Sequence, residues 1–157
     1  MSIEKARKHL ARYGLDSKIL EFDTSSATVE LAAEAVGTQP QRIAKTLSFL
    51  VDGDPVLIVV AGDGRIDNKK FKAQFHTKAK MIPADQVLDL VGYDVGGVCP
   101  FGVNEGVPVW LDESLKRFET VYPAAGNAAS AVELTLPELE EAGGALGWVD
   151  ISKIPQE

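Results

Sequence analysis

Apolar residues return at helical spacing from the start of the chain. Ile3, Ala6, Leu10 and Tyr13 fall on one side of a helix that Ser2 can cap and Gly14 can close. Residues 18–23 read as a short strand. Behind Ser25 and Ser26, both cap candidates, residues 27–36 place Val29, Ala32, Ala33 and Val36 along a second stripe, which Gly37 ends and Pro40 keeps from resuming. The period then drops to two. Residues 44–51 and 55–61 form two strands joined through Asp52-Gly53-Asp54, a turn in which glycine supplies positive φ without a Cβ penalty. This hairpin is expected at the centre of the sheet.

Asp67 is placed to cap a helix reaching His76, with Phe71 and Phe75 an i,i+4 pair toward the core and Lys69, Lys72 and His76 aligned on a neighbouring face. Residues 79–82 read as a strand and 84–91 as a helix, after which Gly92 opens a glycine-rich loop. Strands at 107–111, 119–122 and 129–134, a helix with Pro137 at its first position, and a last strand at 148–151 complete the pattern. Short strands with helices between them predict an α/β chain of the α+β type, a mixed barrel-like β-sheet with surrounding helices. A dinucleotide-binding fold does not fit, because there is neither a regular βαβ repeat nor a phosphate-loop glycine pattern. With no repeats, low-complexity tracts or linkers, residues 1–157 read as a single domain.

The 157 residues, 45% hydrophobic and 25% charged, match one globular domain with a core of its own. The longest apolar run, residues 56–61, is too short to cross a bilayer, and MSIEKARKHLARYG carries charges where a signal sequence needs an apolar segment. A soluble cytoplasmic protein without a membrane partner is expected. One cysteine cannot build an internal disulfide or a thiolate metal site, and His9 and His76 lack ligand-spaced partners. Neither a metal nor another cofactor is expected.

The formal net charge of -7 speaks against a general nucleic-acid binder and against a DNA partner, yet it hides an asymmetry. Residues 1–80 hold 13 Lys and Arg against 10 Asp and Glu, whereas the remainder holds 3 against 13. NKKFKAQFHTKAK, residues 68–80, has five lysines and no acid, and Lys5, Arg7, Lys8 and Arg12 form a second cluster in the first helix. Such runs are either solvated helix faces or a local footprint for a polyanion.

In KTLSFLV the side chains alternate, so Lys45 shares a face with Leu47, Phe49 and Val51 while Thr46 and Ser48 point the other way. A lysine heading such a row either snorkels into water at the strand mouth or stands in a cavity opening, placed to hold a phosphate or a carbonyl oxygen. The loop GGVCPFG, residues 96–102, holds the only cysteine. Pro100 offers no N–H and pushes Cys99 toward extended backbone, while Gly96, Gly97 and Gly102 let the main chain approach a ligand. The loop is either a plain turn or a surface of amides able to bind a carbonyl or an oxyanion. Thiol catalysis by Cys99 would need a base and an electropositive setting, and neither histidine lies in a segment that obviously returns to it. Packing or specificity suits Cys99 better. Phe101 either walls a pocket or belongs to the core, and Asp63, Asp67 and Glu133 suit turn, cap and surface roles better than acid-base chemistry.

The run TVELAAEAVGTQPQRIAKTLSFL, followed by VLIVVAGDGRID, VLDLVGYDVGGVCPFG and YPAAGNAASAVELTLPEL, resembles the prolyl-tRNA synthetase associated editing-domain family, also called the YbaK or aminoacyl-tRNA deacylase-like family. The likeness runs from about residue 25 to residue 142 and rests on ordered elements: a lysine in an AKTL strand, a GGV-x-PFG loop and a late small-residue loop with a glycine. It implies hydrolysis of the ester joining a wrong amino acid to the terminal adenosine of a tRNA, on a mixed barrel with surrounding helices. The implied partners are aminoacyl-tRNA and an aminoacyl-tRNA synthetase. No metal and no protein nucleophile are implied, and a ribose hydroxyl of the substrate helps activate water.

Through this resemblance Lys45 and the backbone of Gly97 become the catalytic candidates. Thr46, Gly96, Val98, Cys99, Pro100, Phe101, Gly102, Gly126 and Asn127 become the substrate-binding ones, and the charge pattern adds Lys69 and Lys72 as tRNA-binding candidates. Ala125 and Asn127 stand where the cysteinyl-tRNA-clearing members have a serine and a basic residue, which bears on the amino acid accepted more than on the reaction. Asn127 either bonds an amino group or ribose or serves the turn. The expectation is a freestanding trans-editing aminoacyl-tRNA deacylase. A noncatalytic relative that binds tRNA, an aminoacyl nucleotide or a synthetase is the alternative, and a cysteine-dependent hydrolase comes third.

Overall fold

The computed structural model of the chain describes residues 2–23 and 28–155. Helix α1, Ser2–Ala11, buries Ala6 and Leu10. Tyr13 departs from the expected stripe: the helix has already ended, Gly14 turns the chain at φ 72°, and Leu15 takes the buried place with its N–H on the Leu10 carbonyl. Strand β1 is Ile19–Glu21. Helix α2, Val29–Val36, begins later than expected because Thr28 is its N-cap, its hydroxyl accepting from the Leu31 N–H; Gly37 closes it at φ 84°. Ser25, Ser26 and Ala27 lie outside the described residues.

Strands β2, Ile43–Val51, and β3, Asp54–Ala61, form the expected hairpin. Asp52 and Gly53 make its turn at φ 52° and 84°, the left-handed pair whose twist suits antiparallel strands. After β4, Arg65–Ile66, Asp67 caps α3, Asn68–Phe75, through the Lys69 and Lys70 amides. Helix α4 is Ala84–Val91, β5 is Val109–Asp112, β6 is Thr120–Pro123, β7 is Ser130–Val132 and β8 is Leu134–Thr135. Helix α5, Leu136–Ala142, starts with a reciprocal Thr135–Glu138 capping box, and β9, Trp148–Val149, and β10, Ser152–Lys153, follow.

Six strands form one mixed sheet in the order β8-β6-β2-β3-β5-β9, and β1 pairs with β7 and β4 with β10 in two-stranded ribbons. The architecture is mixed α/β with a curled half-barrel sheet. The central strand β3 is buried on both faces. Leu57, Val59 and Ala61 join a core with Ala6 and Leu10 of α1, while Val56, Ile58 and Val60 join another with Phe71 of α3. Fully burying each such Val, Leu or Ile contributes about 1.5–3 kcal/mol, so the sheet is stabilised from both sides. Phe71 and Phe75 pair toward the core as expected, with ring centroids 4.9 Å apart and the rings tilted by 42°.

Three expected strands change. Residues 79–82 make only one bridge, Phe49 with Met81, because Pro83 has no N–H to continue a ladder and α4 starts directly behind it. The strand expected at 129–134 is two, since the chain leaves β1 for β6 at Glu133. The strand expected at 148–151 stops at Val149, because the buried carboxylate of Asp112 captures the Ile151 N–H and the Ser152 hydroxyl at 2.8 and 2.5 Å.

Candidate functional site

Strand β2 is paired with β3 along its whole length, but its other edge is covered only near the ends. β6 pairs with Ile43 and Ala44. At the far end the Leu50 N–H donates to the Lys80 carbonyl and the Ser48 carbonyl accepts from the Ile82 N–H. Outward-facing residues alternate along an antiparallel strand, so the N–H and C=O of Thr46 open into the gap between. A cleft of about 420 Å³ fills this gap. Val29 and Ala32 of α2, Val87 of α4, Tyr122 of β6, and Gly96 and Val98 line it, with Lys45 and Thr46 on the β2 side.

Lys45 is half-buried. Its ammonium donates to the Gly64 carbonyl at 2.6 Å and, more weakly, to the Gly62 carbonyl at 3.4 Å. Desolvation lowers its pKa below the ordinary lysine value, and the charge of Asp63 works against that shift. Three N–H bonds point from an ammonium, so these two acceptors leave one for a ligand. The loop can close over the lysine because glycine flanks Asp63: a Cβ at Gly62 would lie 2.0 Å from the Pro40 carbonyl oxygen, and one at Gly64 2.8 Å from Val60 Cγ1. Asp63 itself is clamped by the Arg117 guanidinium at 3.0 and 2.5 Å, contacts that hold its carboxyl below the usual carboxylate range.

The 96–102 loop divides its labour. Gly96 and Val98 line the cleft, and among the described residues their N–H groups meet no acceptor. Gly97 was expected to offer a catalytic amide, but its N–H donates to the Asp94 carbonyl at 3.1 Å. Its role is spatial: a Cβ there would stand 2.6 Å from the Gly126 carbonyl oxygen and 2.8 Å from Asn127 Cα, so the two glycine loops touch backbone to backbone. Gly126 is buried at φ 100°, and Asn127 serves the turn, its Oδ1 accepting from the Ala129 N–H at 2.9 Å.

Beyond Val98 the chain turns inward, so Cys99, Pro100, Phe101 and Gly102, all expected to bind substrate, do not line this cleft. Cys99 and Phe101 are wholly buried, Pro100 packs against Gly143, and Gly102 faces His9 and Tyr93. Burial pushes the Cys99 thiol up to about 12, and the Tyr93 hydroxyl beside it donates to the Phe101 carbonyl. At neutral pH it is a core thiol. Lys69 and Lys72 are exposed on α3, whose Phe71 packs on the sheet face opposite the core that receives Cys99 and Phe101. Lys70 between them is tied to Asp150 and the Ser152 carbonyl.

Sequence reasoning missed the wall residues of α2, α4 and β6, whose apolar side chains carry no local mark of a cleft. The Gly62-Asp63-Gly64 seat of Lys45 did carry one, a pair of glycines directly after a strand. No group of three or more His, Cys, Asp and Glu that could hold a metal occurs among the described residues. Nor is any described helix long and apolar enough to cross a membrane.

Comparison with known proteins gives four findings. The sequence profile of the family described as "Aminoacyl-tRNA editing domain" matches residues 23–142. The uncharacterized protein YwhH of Bacillus subtilis (strain 168) is 49% identical over 154 residues, covering 98% of each chain. The proline–tRNA ligase of Halalkalibacterium halodurans is 31% identical over 106 residues, which are 64% of this chain but 18% of the ligase. A crystal structure described as a candidate trans-editing enzyme for prolyl tRNA synthetase superposes with a TM-score of 0.87 at 29% identity, over 97% of both chains.

Proposed function

Because the chain belongs to the aminoacyl-tRNA editing domain family, we propose that it is a trans-acting aminoacyl-tRNA deacylase, with the cleft beside β2 as the place where the ester of a mischarged tRNA is hydrolysed. The observation that carries this reading is the coincidence, at one mostly apolar cleft, of a seated ammonium, an open strand edge and two free amides.

In this mechanism water adds to the ester carbonyl carbon, the bond from that carbon to the ribose oxygen breaks, and the proton released by the water ends on the ribose oxygen. A free amino acid and an intact tRNA end result. The Gly96 and Val98 amides receive the oxyanion, an interaction worth about 3–4 kcal/mol where such donors have been removed from hydrolases. Lys45, held by the Gly64 and Gly62 carbonyls, keeps a positive charge at the cleft rim for a phosphate or carbonyl oxygen of the substrate end. The Thr46 carbonyl faces the cleft as an acceptor for the substrate's ammonium. Water activation falls to a ribose hydroxyl of the substrate, because the described residues of the cleft wall include no His, Asp or Glu and Cys99 lies buried behind it.

The test is single-turnover hydrolysis of a panel of mischarged tRNAs by wild type, Lys45→Ala and Cys99→Ser, with thermal melts alongside. Lys45→Ala should lose most turnover while folded, and Cys99→Ser should keep much of it. The reverse order would establish a thiol mechanism. Tight tRNA binding without turnover on any member of the panel would establish a noncatalytic binding module instead.

A further inference from the structure

A second concavity lies behind the 96–102 loop. It encloses about 520 Å³ between α1, residues 100–109 and the end of α5, and its cationic wall is formed by Lys5, Lys8 and Arg12, with His9 on the same helix face. The spacing i, i+3, i+4, i+7 puts all four on one stripe. In a chain with 23 Asp and Glu and a net charge of -7, no carboxylate among the described residues lines this groove.

The wall is built rather than incidental. His9 Nε2 lies 2.6 Å from the Ala142 carbonyl oxygen and pins α1 to the end of α5. Lys5 donates to the Gly92 carbonyl at 3.0 Å and sits 4.6 Å over the Tyr93 ring. Lys8 and Arg12 are exposed and have no ion-pair partner among the described residues, whereas Arg7, turned to another face, is held by Glu21 at 3.0 Å. Gly102, Gly143 and Gly144 line the opposite side, and at Gly144 a Cβ would meet nothing within 4 Å, so the backbone there is open to an approaching ligand.

The row from Lys5 to Arg12, the residue directly after the end of α1, extends about 10 Å, at about 1.5 Å per helical residue. A single phosphate fills a fraction of that length. A nucleic-acid strand, with one charge per about 3.4 Å of helix rise, matches it. The position of the groove gives it meaning: Gly96 and Val98 line the cleft while Pro100 and Gly102 line the groove, so one loop separates the two. Val98 and Pro100 are two residues apart, a chain distance of at most about 7 Å.

We propose that this groove binds the phosphodiester backbone of the RNA strand whose aminoacylated end enters the cleft. The proposal rests on the deacylase reading for the identity of the RNA, and it selects the α1 side of the protein for the acceptor strand.

The test uses the full chain and a double variant, Lys8→Gln with Arg12→Gln, both exposed positions, with Arg7→Gln as a charge-matched comparison and melts to confirm folding. Affinity for an uncharged tRNA transcript is measured against salt. The double variant should bind at least about tenfold more weakly near 0.1 M salt, and its log–log salt slope should shrink by about 1.4–1.8, the value for two phosphates released. Arg7→Gln should shift both far less. Hydrolysis is then compared on mischarged tRNA and on an aminoacyl ester of adenosine. Loss on tRNA should exceed loss on the small ester by about tenfold. If wild type cleaves neither ester, the deacylase reading fails while the affinity and slope still decide the groove. A folded double variant with wild-type affinity and slope would overturn the proposal, as would unchanged tRNA binding with lost binding of polyglutamate, which would assign the groove to an acidic protein.

Discussion

Adding one methyl group at Gly97 should pry apart the two loops behind the cleft. Gly97 does not have a left-handed φ, so alanine brings no backbone strain, and the effect is steric alone. The new Cβ would meet the Gly126 carbonyl oxygen at 2.6 Å, and reaching the 3.4 Å of ordinary contact requires the loops to part by about 0.8 Å. Both obstacles are main-chain atoms, and the loops are held by the Gly97–Asp94 bond on one side and the Asn127–Ala129 turn on the other. Overpacking of this kind costs about 1–3 kcal/mol. For a chain of this size each kcal/mol lowers Tm by about 2–4 °C, so Gly97→Ala should melt about 2–12 °C below wild type. Displacing Gly96 and Val98 by most of an ångström should also cost up to about a hundredfold in single-turnover hydrolysis. Gly147→Ala is the comparison, because its Cβ would meet only the Trp110 ring edge at 3.4 Å. If Gly97→Ala melts and reacts like Gly147→Ala, the backbone contact between the loops is not what shapes the cleft.

Cys99 in the native protein should resist iodoacetamide at pH 8 and react fully in guanidinium, and rapid native labelling would contradict its burial. Its thiol is pushed up to about 12 from an ordinary 9.0, so the unfolded chain loses this proton first, and folding stability should fall as pH rises through that window. Thr46 carries a buried hydroxyl without a partner among the described residues. Thr46→Val should therefore stabilise by about 1 kcal/mol or be neutral, and a loss above about 1 kcal/mol in urea titration would show that the hydroxyl is bonded. Lys69→Ala with Lys72→Ala should lower tRNA affinity and salt slope less than Lys8→Gln with Arg12→Gln, because α3 covers the opposite sheet face; an equal or larger loss would move the main RNA contact to α3.

Legibility in the sequence followed the range of the interaction concerned. Asp67 and Gly37 were readable because a cap is satisfied within one turn of its own helix, and Asp52-Gly53 because a tight hairpin is decided by two φ angles. Alternation along β2 likewise placed Lys45 and Thr46 on opposite faces, and the ordered glycine and proline positions singled out the two loops that touch at Gly97 and Gly126. The same local rules misjudged residues 79–82 and 148–151, where Pro83 and the distant Asp112 decide how far pairing runs.

What only the tertiary structure decided is which residues of those loops line the cleft and which are buried. Lys45 owes its fixed ammonium to carbonyls 17 and 19 residues away, and Arg117 holds the loop that supplies them from 54 residues further on. GGVCPFG looked like one substrate surface. Its halves part because burying Cys99 and Phe101 among residues of α1, β3 and β5 is more favourable than exposing them, and that choice leaves Gly96 and Val98 in the cleft and Pro100 and Gly102 in the basic groove. Caps, turns and alternation are energies of neighbouring residues, so the sequence alone determines them; the seat of a charge and the sharing of one loop between a cleft and a groove are decided when distant segments close on one another.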